Sequence, residues 1–170
     1  MSTPKRPERL GLTILTAALL CLPLLAAEKT HEFCNACHTE QVADFKTHTH
    51  FQKGLSCDAC HGASLKHRNS TGAVPPDRVA APDEVPALCG QCHSAQQEEY
   101  SGSKHGAAVL ARQKAAHCTT CHGVHNLRTA RQMQQQCRKC HPMLPAAHPA
   151  VASAAQCMSC HAKHTLVAKK

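Results

Sequence analysis

The ten residues HCTTCHGVHN, His117–Asn126, contain two cysteines separated by two residues and followed at once by a histidine. A further histidine, His125, comes three residues after His122. The Cys-x-x-Cys-His pattern occurs six times in 170 residues and includes twelve of the thirteen cysteines. The paired cysteines are Cys34, Cys37, Cys57, Cys60, Cys89, Cys92, Cys118, Cys121, Cys137, Cys140, Cys157 and Cys160. An interpretation of this chain has to explain a fixed spacing that recurs six times.

Three kinds of site use a Cys-x-x-Cys pair: a zinc site, a redox dithiol and a covalently attached haem. A zinc site does not require a histidine directly after the second cysteine, and a redox dithiol needs one pair rather than six. Cys-x-x-Cys-His is the attachment sequence of haem c, in which the cysteines form thioethers and the adjacent histidine binds iron. The sequence therefore predicts six haem c groups, with proximal iron ligands His38, His61, His93, His122, His141 and His161.

Nine histidines lie outside the motifs, and at least one follows each motif. We predict that six of them are distal iron ligands: His50, His67, His105, His125, His148 and His164. His48 is the alternate to His50, and Met143 is the alternate to His148 at the haem of His141. Each candidate could instead be a solvated side chain or a hydrogen-bond donor to a propionate. Because a short spacing can direct a histidine to a neighbouring iron, the sequence does not decide which distal ligand serves which haem.

Two segments, CNACHTEQVADFKTHTHF and CGQCHSAQQEEYSGSKHG, share an aromatic residue seven positions after the proximal histidine and a histidine twelve positions after it. Each is followed by a CxxCHG motif and another histidine. This similarity favours His50 over His48 as a ligand. It also predicts three di-haem units, at about 34–67, 89–125 and 137–164, in one domain of residues 28–170. A proline-rich linker, residues 69–87, separates the first two units.

Large aromatic side chains are scarce, with three Phe, one Tyr and no Trp. A chain of this length would usually need them to build a core, so haem groups are expected to fill the interior. The segments Gly106–Lys114 and Arg128–Gln136 have the composition of short helices, and no stretch reads convincingly as a strand. The predicted fold is mainly α with extensive coil: short helices and loops around haems, with little or no sheet.

The first 27 residues resemble a secretory signal peptide, with basic residues followed by the apolar run Leu10–Ala27. Retention of this run as a membrane anchor is the first alternative, although Pro23 interrupts it. A lipid on Cys21 is the second. Export predicts a periplasmic protein, or else one that is anchored facing the periplasm or is extracellular. Membrane contact is expected only if the segment is not cleaved.

The formal charge of +8 could suggest binding to nucleic acid. Six haems would bring about twelve propionates, which nearly cancel the basic side chains and ferric irons, so Lys and Arg are better interpreted as propionate partners. Basic runs with interleaved aromatic residues are missing from the sequence. The sequence therefore predicts no nucleic-acid partner.

The six motifs, and the pairing of CxxCH and His with CxxCHG and His, resemble the multihaem c-type cytochromes. They are similar in particular to periplasmic pentahaem and decahaem electron carriers, including decahaem proteins that plug outer-membrane porins. The resemblance covers about residues 31–166. It implies thioether links at the twelve paired cysteines and proximal ligation by the motif histidines. It also implies redox partners such as a membrane quinol dehydrogenase, a terminal reductase or an outer-membrane porin–cytochrome conduit.

Two features depart from these relatives. Six haems match neither five nor ten, and CRKCHPM resembles the first-haem motif of membrane-anchored tetrahaem quinol dehydrogenases, where a methionine can be a ligand. The absence of a CxxCK motif argues against the multihaem nitrite-reductase pattern. We expect electron transfer through mostly bis-histidine haems and no catalytic residues. The alternatives are a reductase with one open haem, acting on a small nitrogen or sulfur oxyanion, and a subunit of an extracellular cytochrome filament.

Overall fold

The structure is a computed structural model that describes residues 31–150 and 157–169. The segment predicted as a signal peptide or anchor, residues 1–27, lies outside the described residues, as does Cys21. In the part of the chain that is described, no helix is long and apolar enough to cross a membrane.

The described ranges contain short helices joined by coil. Residues 31–35 are helical, and ten helices with defined bounds follow. They are α1 (Thr39–Lys46), α2 (Thr49–Gln52), α3 (Cys57–His61), α4 (Leu65–Asn69), α5 (Val85–Gly90), α6 (Ser94–Ser101), α7 (Lys104–Leu110), α8 (Cys118–His122), α9 (Ala130–Cys140) and α10 (Cys157–Cys160). One antiparallel bridge, His161 to Ala168, is the sole sheet-type pairing found in these ranges. The prediction of short helices and coil with little or no sheet is confirmed.

Helix boundaries differ from the sequence prediction where local capping decides them. The helix predicted at 106–114 begins at Lys104, because Ser103 is its N-cap and accepts a hydrogen bond from the Gly106 amide. The helix predicted at 128–136 begins at Ala130, after a capping box formed by Thr129 and Gln132, and continues into the fifth motif.

A helix occupies the end of the segment that is predicted as a proline-rich linker. Helix α5 begins at Val85, inside the predicted range 69–87. Pro86 is compatible with this start because the first residues of a helix have no intrahelical partner for their amide groups.

The similarity of the first two units extends to the backbone. Helices α1 and α6 each have eight residues and begin directly after a proximal histidine, His38 or His93. The next helix of each unit has an extended N-cap residue whose side chain accepts an amide hydrogen bond. That residue is His48 in the first unit and Ser103 in the second.

The CxxCHG motifs end their helices in a glycine-specific conformation. Gly62 after α3 has φ 72° and ψ 176°, and Gly123 after α8 has φ 80° and ψ −176°. Other residues are essentially excluded from this region of backbone space. A Cβ at Gly123 would lie 2.2 Å from the carbonyl oxygen of Asn126. These two glycines therefore allow the chain to turn sharply after the second and fourth proximal histidines.

Few hydrophobic side chains are buried. Within the described residues they are Val42, Val85, Tyr100 and Val109. The Tyr100 hydroxyl donates a 2.7 Å hydrogen bond to the carbonyl of Ala116, and burial raises the pKa of Tyr100 to about 12. A side-chain core this small does not explain how the helices are held together.

Candidate functional site

Twelve histidines form six pairs of facing rings. Each pair contains one motif histidine and one histidine from outside the motifs. The ring centroids are 5.9–6.2 Å apart, and the ring planes lie within 36° of parallel. The pairs are His38–His67, His61–His125, His93–His50, His122–His164, His141–His105 and His161–His148. The structure thus brings all six predicted distal histidines to the six proximal ones.

The separation fits an iron between the two rings. A bond from an imidazole nitrogen to a transition metal is about 2 Å long, and the ring centre lies about 1.1 Å farther out, so two opposed imidazoles should have centroids about 6.2 Å apart. Contacting aromatic rings generally span about 4.5–7 Å. The six pairs here agree to within 0.3 Å, as a common bridging atom would require.

The residues therefore fit haem better than a metal site made of side chains alone. Two imidazoles supply two ligands, and a porphyrin supplies the other four positions of a six-coordinate iron. In the described ranges, no three His, Cys, Asp or Glu side chains converge where a metal ion could bind. All twelve paired cysteines are free thiols, as thioether formation requires.

Hydrogen bonds at the outer ring nitrogen orient several of the paired histidines. Four Nδ1 atoms lie 2.7–3.0 Å from main-chain carbonyls and a fifth lies 3.1 Å from a carboxylate. The contacts are His61 to Arg78, His67 to Val74, His148 to Pro149, His161 to Leu166, and His164 to Glu99. Donation from Nδ1 leaves Nε2 without a proton and ready to bind a metal.

Burial also favours the neutral, metal-binding form of the rings. Burial, followed by the facing histidine, lowers the pKa of His50, His105 and His122. The same two effects lower the pKa of His125, where Asp44 acts in the opposite direction. Neutral imidazole is the form that coordinates iron.

The three histidines outside the pairs occupy other places. His31, which is 1% exposed, packs against Phe45 and Phe51, with ring centroids 5.3 and 4.7 Å away. His48 is buried, and its Nδ1 accepts a hydrogen bond from the His50 amide at the start of α2. His117 caps α8 through its contact with that helix's first turn.

The alternates named from the sequence do not face a proximal ring. His48 acts as an N-cap, and its neighbour His50 faces His93. Met143 is 84% exposed, and the ring that faces His141 belongs to His105. The fifth motif thus differs from the sequence interpretation, in which His148 was the first choice for His141.

Each distal histidine faces a motif other than the one it follows in the sequence. His67, for example, follows His61 but faces His38, and His164 follows His161 but faces His122. The separations along the chain range from 13 residues for His148–His161 to 64 for His61–His125. Tertiary structure, not motif spacing, decides the pairing.

The motifs lie near one another in chain order. The thiols of Cys34 and Cys57 lie close enough to interact, and burial together with this interaction raises the pKa of Cys57 to about 12. The first cysteines of the third and fourth motifs, and of the fifth and sixth, make the same kind of contact. Between these couples, Cys60 interacts electrostatically with Cys89, and Cys121 interacts with Cys137.

Three basic residues, which the sequence reasoning missed, cap the second, fourth and sixth motif helices. Arg78 donates to the carbonyls of Cys60 and Ala59 at 2.7 and 3.1 Å. Arg128 donates to three carbonyls of α8, and Lys169 donates to two of α10. A cation at a helix C-terminus neutralises exposed carbonyls. These residues come 17, 6 and 8 positions after the proximal histidine, so no fixed spacing identifies them.

Comparison with known proteins supports a multihaem c-type cytochrome. The family model described as cytochrome c7 and related cytochrome c matches residues 43–123, which contain the second, third and fourth motifs. This segment is just under half of the chain. No curated protein and no solved structure matches the sequence.

Proposed function

We propose that the chain is an electron carrier with six covalent haem c groups, each held between one of the six pairs of facing histidines. The observation that carries this proposal is the common ring separation of 5.9–6.2 Å, found in every pair that joins a motif histidine to another histidine. When bound, haem supplies an iron that changes its oxidation state by one electron. The paired cysteines of each motif would fasten it, and the two imidazoles would be its axial ligands.

This ligand arrangement suits electron transfer rather than catalysis. If both imidazoles of a pair bound the iron, a substrate would have to displace one of them. Carbonyl hydrogen bonds hold rings such as His61 and His161 in place, and the same ligand set can then remain bound in both oxidation states. A reductase would need one ring pair to be broken.

The order of the motifs supports a relay through three di-haem units. Interactions between thiols link the first motif to the second, the third to the fourth and the fifth to the sixth. Electrostatic interactions of Cys60 with Cys89 and of Cys121 with Cys137 link one unit to the next. The proposed path therefore follows the chain from the first motif to the sixth.

The N-terminal sequence supports an exported, periplasmic carrier, since basic residues precede an apolar run of signal-peptide type. Its proposed partners are redox proteins of the cell envelope. They would be a membrane quinol dehydrogenase, a terminal reductase or an outer-membrane porin–cytochrome conduit.

The proposal is tested by the intact mass of the exported polypeptide and by its reaction with carbon monoxide. We expect the mass of the chain plus six haem groups, and no carbon monoxide adduct of the reduced protein. Fewer than six groups would contradict the haem count. Six groups with one that binds carbon monoxide or nitrite would favour the reductase, and polymers seen by light scattering would favour the filament.

A further inference from the structure

We infer that Glu99 is a positioning residue that selectively lowers the reduction potential of the haem held by His122 and His164. This inference rests on the proposed function, because it requires a haem between these two rings. It goes beyond that function by assigning one carboxylate control over one step of the relay.

The contact is distinct among the paired histidines. The Nδ1 atom of His164 lies 3.1 Å from Oε2 of Glu99, which belongs to α6 and is 65 residues away in sequence. Within the described residues, the other four Nδ1 hydrogen bonds of paired histidines end on main-chain carbonyls. The fourth motif is therefore the one whose distal ring donates to a charged acceptor.

The backbone around His164 fixes this ring in place. His164 has φ 58° and Leu166 has φ 57°, in the left-handed region that residues other than glycine seldom adopt. The turn is closed by hydrogen bonds from the Leu166 amide to Ala162 and from the Ala162 amide to Val167, at 3.1 and 2.8 Å. Because these contacts hold the turn, the ring is presented to His122 on one side and to Glu99 on the other.

The chemistry predicts the direction of the effect. A carboxylate is a stronger acceptor than a carbonyl, so it draws the Nδ1 proton more strongly and makes the imidazole a better electron donor to iron. A more basic axial ligand and a nearby negative charge both favour ferric over ferrous iron. The haem between His122 and His164 should therefore be harder to reduce than it would be with a neutral residue at position 99.

A second carboxylate provides a comparison. Asp44 interacts electrostatically with His125, but its Oδ1 accepts a hydrogen bond from Asn126, 3.4 Å away, and not from the ring. Asp44 thus acts on the His125 ring by its charge alone, without a hydrogen bond to the ring. Its removal should change the haem of His61 and His125 less than removal of Glu99 changes its own haem.

The test is a potentiometric titration of the intact six-haem protein and of Glu99→Gln, which keeps the size and an acceptor oxygen but removes the charge. We expect one of six reduction equilibria to become more favourable by about tenfold, the lower end of outer-shell effects on metal sites. For one electron this is an upward shift of about 59 mV. Glu98→Gln, the same change at the preceding exposed position of α6, should leave all six potentials unchanged.

Further variants separate charge from structure. In Glu99→Asp, the reduction potential of the haem between His122 and His164 should stay close to the wild-type value. In Glu99→Lys, this potential should rise further than in Glu99→Gln. In the Glu99 variants, the low-spin electron paramagnetic resonance signal of this haem should change, and the signals of the other five haems should stay as in the wild type. A Glu99→Gln protein that retains six haems but shows no shift beyond that of Glu98→Gln would overturn the inference and leave the proposed function standing. A wild-type mass without six haems would instead overturn the proposed function.

Discussion

Replacing one paired histidine should leave one iron with a vacant coordination position and should leave the other five irons unchanged. His105 faces His141 at 5.9 Å, so His105→Ala should leave the fifth haem with one axial ligand. One of six haems, about 17% of the total, should then become high-spin and bind carbon monoxide after reduction. The assay compares the absorbance of the carbon monoxide adduct with the haem content from the intact mass.

The matched control is His48→Ala, since the His48 ring is buried and lies 4.6 Å from the ring of the paired His50. Its loss removes the N-cap of α2, which should cost about 0.5–2 kcal/mol of stability. It should nevertheless leave every iron with two ligands. Carbon monoxide binding by His48→Ala, or none by His105→Ala, would refute the ligand assignment.

The partner of His105 can be identified by removing the fifth haem with the double change Cys137→Ala and Cys140→Ala. In this five-haem background, His105→Ala should open no further iron, because its haem is already absent. His148→Ala should still open one, because His148 faces His161 in the sixth motif. The opposite outcome would mean that the sequence-adjacent histidine, not the facing one, serves the fifth haem.

Three further predictions concern the turns, the single tyrosine and the ring orientations. Gly123→Ala should lower the thermal unfolding midpoint more than Gly54→Ala, because both have φ 80° but only the first places a Cβ 2.2 Å from the Asn126 carbonyl; backbone strain alone costs about 1–3 kcal/mol. Burial raises the pKa of Tyr100 to about 12 from its unfolded value of about 10. The neutral phenol therefore contributes its full share of folding stability below pH 10, and this share is lost as pH rises through 12. The thermal unfolding midpoint of the wild type should fall between pH 10 and pH 12, and that of Tyr100→Phe should fall less. All six ring pairs lie within 36° of parallel, so the ferric protein should give rhombic low-spin resonance signals, and a strongly anisotropic signal typical of perpendicular imidazoles would contradict this geometry.

Local chemistry explains what could be predicted from the sequence. Haem attachment uses five consecutive residues, so a motif such as Cys118–His122 identifies its own cysteines and proximal histidine without knowledge of the fold. The scarcity of aromatic residues and strand-like segments also indicated short helices with coil. Neither prediction requires knowing which parts of the chain meet.

The distal pairing and the basic caps could not be predicted, because both depend on contacts between distant segments. His61 and His125 are 64 residues apart, and nothing in the spacing of either motif specifies that approach. One available signal was overlooked. The repeat aligns His48 with Ser103, and serine is an N-cap residue rather than an iron ligand, which already indicated a capping role for His48.

With the proposed haems bound, the crossed pairing would cross-link segments that are far apart in the chain. While both histidines of a pair stayed bound, that pair would restrict the unfolded chain as a disulfide does, and the longest loop would be restricted the most. The pairing also imposes an order on assembly, because the fourth haem can be fastened by Cys118 and Cys121 well before its second ligand, His164, has emerged. A chain that ended before His164, and so lacked its last seven residues, would therefore hold the proposed fourth haem through His122 alone and should bind carbon monoxide there.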